Sequence, residues 1–319
     1  MEESLLRRKM MDLWKDTFHD SDRYVNLVFD AYFDPENVFV HFDGETLVAM
    51  MLTVPYQFEV RSEGGACRSL RGVYLCGLAT LPEYRRQGIM SRLMIEAEHV
   101  MIGHGMDLMF LIPADEHLRS YYARMGYYNA TVKSLRNIQF SQNVSSESEI
   151  FPLRPFMESA PGFVVSLAQR CRDIDMRREE SSLIHQVNDM MAVFRENENT
   201  FLVAQDLFEP EYPDLTKVSA IVFPDRPVGS SGEKVKLSAV YFLHKDEARD
   251  LRLREDLHKT VMNRIAGAYP ASEVTLIKTS SSHDGCPLCE PYAMVKILPK
   301  ERDFEIPENP GFHISLMLD

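Results

Sequence analysis

Val73-Tyr74-Leu75-Cys76-Gly77-Leu78-Ala79-Thr80-Leu81-Pro82-Glu83-Tyr84-Arg85-Arg86-Gln87-Gly88-Ile89-Met90-Ser91 changes character twice. Residues 73–81 are apolar and rich in strand formers, and Pro82 ends the run by withdrawing a backbone donor. A basic turn follows, with Arg85 and Arg86 ahead of Gly88. Ile89, Leu93, Ala97, Val100 and Met101 then recur at helical offsets and give one apolar face. The first turn of such a helix presents unpaired N–H groups and the positive end of its dipole, so a phosphate docked there meets donors already in place. Gly88 lets the backbone approach without an intervening Cβ. Taken alone, Arg-x-x-Gly before a helix also describes an ordinary strand-to-helix loop.

The sequel narrows the choice. Gly103-His104-Gly105 closes the helix, Leu108-Met109-Phe110-Leu111-Ile112 is a second apolar run bounded by Pro113, and Glu116 to Arg124 reads as a short helix ending at Met125-Gly126-Tyr127. Here the chain resembles the GNAT superfamily of N-acetyltransferases, whose acetyl-coenzyme A motif is a strand, then Arg/Gln-x-x-Gly-x-Gly/Ala, then a helix. Leu78 to Ile89 follows that motif, and Tyr122-Ala123-Arg124-Met125-Gly126-Tyr127 follows the later Tyr-x-x-x-Gly-Phe/Tyr element. Met90 departs from the pattern, which usually has Gly or Ala, and is accommodated if its side chain points away from the phosphates. The Arg-Arg-x-Gly-Ile form is similar to that of the enhanced intracellular survival branch, whose members carry tandem domains.

The resemblance covers residues 1–140 well and the remainder loosely. It implies acetyl-coenzyme A as donor, no metal, and a binding segment made of Leu78, Ala79, Thr80, Arg85, Arg86, Gln87, Gly88, Ile89, Met90 and Ser91. It also implies that a backbone N–H on the Leu78 to Thr80 edge polarises the thioester carbonyl. Tyr122 becomes the phenol beside the sulfur, and the carboxylate of Asp319 the base, by analogy with the terminal carboxylate of that branch. Asp115, Glu116 and His117, just past a strand end, are rival bases or relays. His19, Asp20 and Tyr24, between and within the first two helices, are candidates to touch the acceptor.

Transfer to an amine needs an uncharged nucleophile, and an alkyl amine with the lysine reference pKa is neutral only about once in 2500 molecules at pH 7. Asp319 is far too acidic in water to deprotonate such an amine outright, so burial must raise its pKa or it must act as attack proceeds. For the leaving group, a phenol near ~10 facing a thiol near ~8.5 favours hydrogen bonding with coupled proton delivery over free ionisation. Adjacent helical positions point about 100° apart, so Tyr121 is expected to face the core if Tyr122 faces the sulfur. A non-catalytic acyl-coenzyme A sensor or partner-binding protein is the rival reading; intact Arg85, Gly88 and Tyr122 favour the enzyme, acting on an amine-bearing small molecule or peptide.

The 319 residues suffice for two domains. Hydrophobic residues are 45% and charged residues 26%, which indicates a packed chain rather than disorder. A net charge of -13 argues against nucleic-acid binding, which needs a basic face. No apolar run is long enough for a membrane span, and the opening Met1-Glu2-Glu3-Ser4 lacks a signal pattern, so a cytoplasmic location is expected. A homo-oligomer is left open. Five cysteines do not form a disulfide framework, and Cys286-Pro287-Leu288-Cys289 near His283 has the spacing of half a zinc site or of a thioredoxin-like pair, with no second Cys pair to complete a metal site.

Along the chain, Leu5 to Phe18 and Arg23 to Phe33 read as helices, with Asp20-Ser21-Asp22 available as cap. Residues 37–60 read as a hairpin turning at Asp43-Gly44. Terminal strands run to Phe140. The expected architecture is a mixed α/β sheet with a polar and proline-rich linker at 143–160. The resemblance implies a catalytic GNAT domain at 1–142 and, as in tandem members, a degenerate GNAT-like domain at 161–319 whose last strand returns to the first domain, with an unrelated α/β domain as the alternative for the second half. In the second half, Ser182 to Glu196 reads as a helix, residues 201–204 and 218–223 as strands, and 235–278 as strand, long helix, strand. Lys245-Asp246-Glu247-Ala248-Arg249-Asp250 precedes that helix with no glycine and with acidic residues, so no coenzyme is expected there.

Overall fold

The computed structural model describes residues 2–61, 67–137, 148–176, 182–205, 208–230, 234–243, 251–269, 273–281, 289–299 and 314. Helix α1 (Glu3–Phe18) buries Met10, Leu13 and Trp14 on one face and stops at His19, whose backbone is left-handed at φ 60. Helix α2 (Asp22–Tyr32) starts at Ser21, whose hydroxyl accepts from the Tyr24 amide at 3.2 Å and satisfies one orphan donor. Strands β1 (Val38–Asp43) and β2 (Thr46–Arg61) form the antiparallel hairpin read at Asp43-Gly44, with Gly44 at the positive φ of 59 that a tight primed turn uses. β3 (Cys67–Thr80) pairs antiparallel with β2, and α3 (Ile89–Gly103) carries the chain across to β4 (Leu108–Leu111), parallel to β3. Helix α4 (Glu116–Ala123) and strand β5 (Tyr128–Asn129) follow.

The chain continues through β6 (Thr131–Asn137), β7 (Ser148–Pro152), α5 (Arg154–Ser159) and α6 (Pro161–Asp175). Then come β8 (Ser182–Ile184), α7 (Val187–Glu196), β9 (Phe201–Gln205), β10 (Val218–Pro224) and β11 (Lys234–Phe242). Helix α8 (Leu251–Ala268), β12 (Glu273–Ser281), β13 (Glu290–Pro291) and β14 (Met294–Ile297) complete the described elements.

The chain divides into two compact units, 1–132 with 179–184 and 280–314, and 133–178 with 185–279 and 315–319. The sheet of the first unit runs β1-β2-β3-β4-β14-β5. β14, from late in the chain, lies antiparallel to β4 (Met294 opposite Leu111) and to β5 (Met294 opposite Asn129). Side-chain alternation splits the core into two layers. Met51, Val73 and Leu75 meet Leu93, Met94 and Ala97 of α3, whereas Met50, Leu52 and Ala79 meet α1 and α2.

The second unit repeats this layering over the path β6-β12-β11-β10-β9-β7. Leu202 and Ile221 pack with α6 and α7, while Phe201, Val203, Ala220 and Val222 pack with α8. β10 is buried along its whole length, as a central strand covered on both faces must be. One expected element differs. Ser182–Ile184 is a strand, because it pairs with Gln57–Glu59 on the edge of β2 left open beyond β1, and the helix begins only at Val187. Segment 143–160 contains β7 and α5. Phe140 and the run from Gly311 to Asp319, apart from Ile314, lie outside the described residues.

Candidate active site

β3 and β4 are in register only from Gly72 opposite Leu108 to Tyr74 opposite Phe110. β4 stops at Leu111 while β3 continues to Thr80, held on its other edge by β2. The pairing of the two parallel strands therefore ends at Tyr74, and the sheet opens into a cleft beyond it. A bulge sharpens the opening. The β2–β3 register slips between Met50 and Leu52, opposite Gly77, whose φ of 61 is left-handed. A Cβ on Gly77 would lie 2.3 Å from Cζ3 of Trp14, so only glycine fits beneath that ring. Beyond the bulge Leu78 and Thr80 are half-buried and Ala79 is buried.

At the end of β3 the chain makes a short 3-10 turn at Pro82–Tyr84, and the Tyr84 hydroxyl donates to Asp43 Oδ2 at 2.7 Å, tying the turn to the hairpin. Arg86 (φ 61) and Gly88 (φ 74) are both left-handed in the turn that leads into α3, and turns with left-handed residues can present their amides to an anion. Gly88 is the N-cap of α3 and offers no side-chain acceptor, unlike Ser21 before α2 and Asp115 before α4. The first bond of the helix runs from the Arg92 amide to the Gly88 carbonyl at 3.1 Å. The helix thus makes no use of the amides of Ile89, Met90 and Ser91.

The predicted side chains divide by position. Arg86 is exposed at the turn. Arg85 folds back so that Nε donates to the Thr80 carbonyl at 2.9 Å, bracing the end of β3. Gln87 Nε2 donates to the Glu83 carbonyl at 3.1 Å, and Arg92 Nη1 to the Gln87 carbonyl at 3.1 Å. Ile89 is buried, and Met90 packs against the core that α3 covers, so its side chain leaves the opening clear. Residues 85–91 contain no carboxylate. Open amides, a left-handed glycine and a cationic rim together suit a diphosphate.

Helix α4 supplies the tyrosines. Asp115 caps it by accepting from the Leu118 amide at 3.0 Å, Glu116 pairs with Arg119 at 2.9 Å, and His117 is exposed. Those contacts occupy Asp115 and Glu116 structurally. Tyr122, not Tyr121, is the core-facing ring: it is 6% exposed and packs with α3, and its ring centroid is 6.2 Å from that of Tyr127. The expectation for Tyr121 is thereby reversed, because its side chain turns toward α3 and its hydroxyl meets Ser91 Oγ at 2.9 Å. Burial pushes the Tyr122 phenol well above its ordinary range, with Tyr121 and Asp115 adding to the rise. Gly126, at φ 90, lets the chain turn back so that the Tyr127 amide reaches the Tyr122 carbonyl at 3.2 Å.

Arg119 fastens this helix to the chain that leads into β14. Its Nη1 donates to Asn129 Oδ1 at 2.9 Å, and its Nη2 to the carbonyls of Pro291 (2.6 Å) and Tyr292 (3.1 Å). Lys296 of β14 pairs with Glu98 of α3 at 2.5 Å. Neither role has a signal in the sequence, since both partners are distant in the chain. Among the proposed acceptor contacts, Asp20 accepts from Trp14 Nε1 at 2.8 Å and so holds the ring that covers Gly77. Tyr24 is half-buried and His19 exposed. Asp319 and Cys286 lie outside the described residues, and Cys289 is disulfide-bonded, which removes it as a thiolate metal ligand. Among the described residues no group of His, Cys, Asp and Glu could hold a metal ion, and no helix is long and apolar enough to cross a membrane.

Residues 6–130 match the family described as Acetyltransferase (GNAT) domain. No curated protein matches the chain in sequence. Among solved structures, a GCN5-related N-acetyltransferase from Anabaena variabilis is similar over 92% of this chain and 70% of its own, at TM-score 0.61 and 14% identity. A GCN5-related N-acetyltransferase from Kribbella flavida is similar over 93% and 70%, at TM-score 0.59 and 15% identity. Eis1 from Mycobacterium abscessus is similar over 92% and 72%, at TM-score 0.58 and 11% identity. At these identities the likeness is one of fold, and it spans both units.

Proposed function

We propose that the protein is an acetyl-coenzyme A-dependent N-acetyltransferase acting on an amine, a reading supported by the match of residues 6–130 to the Acetyltransferase (GNAT) domain family. The observation that carries the reading is the cleft where β3 outruns β4, with the uncapped start of α3 at the end of the strand. Acetyl-coenzyme A, when bound, supplies the thioester. The amides of Ile89, Met90 and Ser91 hold its diphosphate, with Arg86 adding charge, and the approach depends on Gly88.

The open edge of β3 at Leu78 to Thr80 aligns the donor along the strand and offers a backbone N–H to the carbonyl oxygen, where negative charge develops during attack. Tyr122 acts at the sulfur. Burial raises its pKa and keeps the phenol protonated, so it serves as a hydrogen-bond donor to the thiolate that leaves as the carbon–sulfur bond breaks. The attacking ammonium must lose its own proton. Asp319, the base that the family resemblance implies, lies outside the described residues, and activity unchanged after its removal would exclude it.

Titration calorimetry with acetyl-coenzyme A tests the binding half, and thiol release with a panel of amines tests the chemistry. Saturable heat with amine-dependent thiol release is expected. Heat without release across the panel would leave a sensor of acyl-coenzyme A, and neither heat nor thermal protection at millimolar concentration would end the proposal.

A further inference from the structure

The hydrogen bond between Ser91 and Tyr121 joins the first turn of α3 to the helix that carries Tyr122. Ser91 occupies the third helical position after Gly88, where its amide and hydroxyl belong to the same turn. A serine hydroxyl has one proton to donate and two lone pairs. The carbonyl one turn back, that of Gln87, accepts from Arg92 at 3.1 Å, and the partner that the Ser91 hydroxyl meets is Tyr121. Either hydroxyl could donate in this contact, and the phenol, the stronger acid of the two, is the better donor. With Tyr121 as donor, the Ser91 proton is directed away from it.

We propose that Tyr121 is a positioning residue for the donor: by donating to Ser91 Oγ it orients the Ser91 proton toward the diphosphate, and so makes the protein selective for acetyl donors that carry one. The inference rests on the diphosphate reading of α3 given above. It assigns the adjacent tyrosines to opposite ends of one donor, Tyr122 to the sulfur and Tyr121, through Ser91, to the phosphates. Helical geometry permits this, because neighbouring side chains diverge by about 100°. Tyr121 is half-buried and Tyr122 buried, so removing the Tyr121 hydroxyl while keeping its ring leaves the packing intact.

The experiment compares two donors on the full chain. With acetyl-coenzyme A, Tyr121→Phe is expected to weaken binding about five- to tenfold by calorimetry, the size of one lost hydrogen bond, and to raise KM alike with kcat nearly unchanged. Ser91→Ala should cost as much, and the double variant little more, since the two hydroxyls act as one unit. With S-acetylpantetheine, which lacks the diphosphate, Tyr121→Phe and the parent should be indistinguishable. Equal losses with both donors, a loss in kcat alone, or unchanged affinity for acetyl-coenzyme A would each overturn the assignment. If the parent protein itself fails to bind acetyl-coenzyme A, the underlying diphosphate reading fails first, whereas a binding parent with an unaffected Tyr121→Phe refutes only the role of Tyr121.

Discussion

The two units contain the same strand, helix, strand arrangement and use it differently. In the first, β3 and β4 pair over residues 72–74 and 108–110 and then part, β3 running on to Thr80. In the second, β11 and β12 pair in parallel across Lys234 to Leu237 and Glu273 to Leu276, with α8 between them. The first helix is entered through Arg85-Arg86-Gln87-Gly88, the second through a run from Lys245 to Asp250 that has no glycine and contains three acidic residues, Asp246, Glu247 and Asp250. A shared frame thus buries two cores alike, while the sequences ahead of the two helices differ in glycine and in the sign of their charges.

The strongest way to break that contrast is at Gly88. Gly88→Trp places a bulky side chain at φ 74, where L residues are strained, and in the mouth of the anion turn. Binding of acetyl-coenzyme A should disappear from calorimetry, whereas Lys259→Ala on the exposed side of α8 should leave it unaltered. Normal affinity in the first variant, or lost affinity in the second, would show that the wrong crossover has been assigned.

Tyr122→Phe sharpens the same point at the other end of the cleft. Turnover is expected to fall on the order of 100-fold with coenzyme affinity retained, because the phenol is needed only as the thiolate leaves. Since the pKa of Tyr122 is raised, no alkaline limb attributable to it should appear in the pH–rate profile below its ordinary value near ~10. Full turnover by the variant would remove it from the mechanism.

A smaller effect is expected at the bulge that opens β3. Gly77→Ala must adopt a left-handed angle and push against Trp14, which should cost about 2–4 kcal/mol of stability, read as a lowered melting temperature. An unchanged melting temperature would mean that the strand can reach Thr80 without the bulge.

The smallest effect belongs to the second unit. His258 of α8 stacks on Phe242 at 4.3 Å, and desolvation holds its pKa below the ordinary imidazole value. A folded state that binds its proton less readily than the unfolded chain is fully favoured above the unfolded pKa near ~6.5, and loses that advantage as pH falls below it. His258→Gln should flatten this acid-side slope slightly in chemical denaturation curves, and an unaltered slope would place the titration elsewhere.

Legibility followed the range of the interaction involved. The hairpin at Gly44, the serine cap of α2 and the start of α3 at Gly88 were readable because a positive φ angle, a capping hydroxyl and a helical apolar period each act over a few residues. Ser182–Ile184 was misread as helix, since three residues carry too little pattern to outweigh an available sheet edge. Tyr121 and Tyr122 are both plausible core residues by composition. Only the rotation of α4 relative to α3 separates the ring packed in the core from the hydroxyl on Ser91.

By itself the sequence determined the order strand, anion turn and helix, and the chemistry expected of it, because each is encoded by neighbours along the chain. Tertiary structure alone decided that β14 completes the first sheet between β4 and β5, that Arg119 ties the tyrosine helix to the segment before that strand, and that β3 outruns its pairing with β4. The physical reason is that a four-residue apolar strand such as Met294–Ile297 fits many edges equally well in isolation, and only the unsatisfied backbone donors and acceptors of one edge, already in place, choose it.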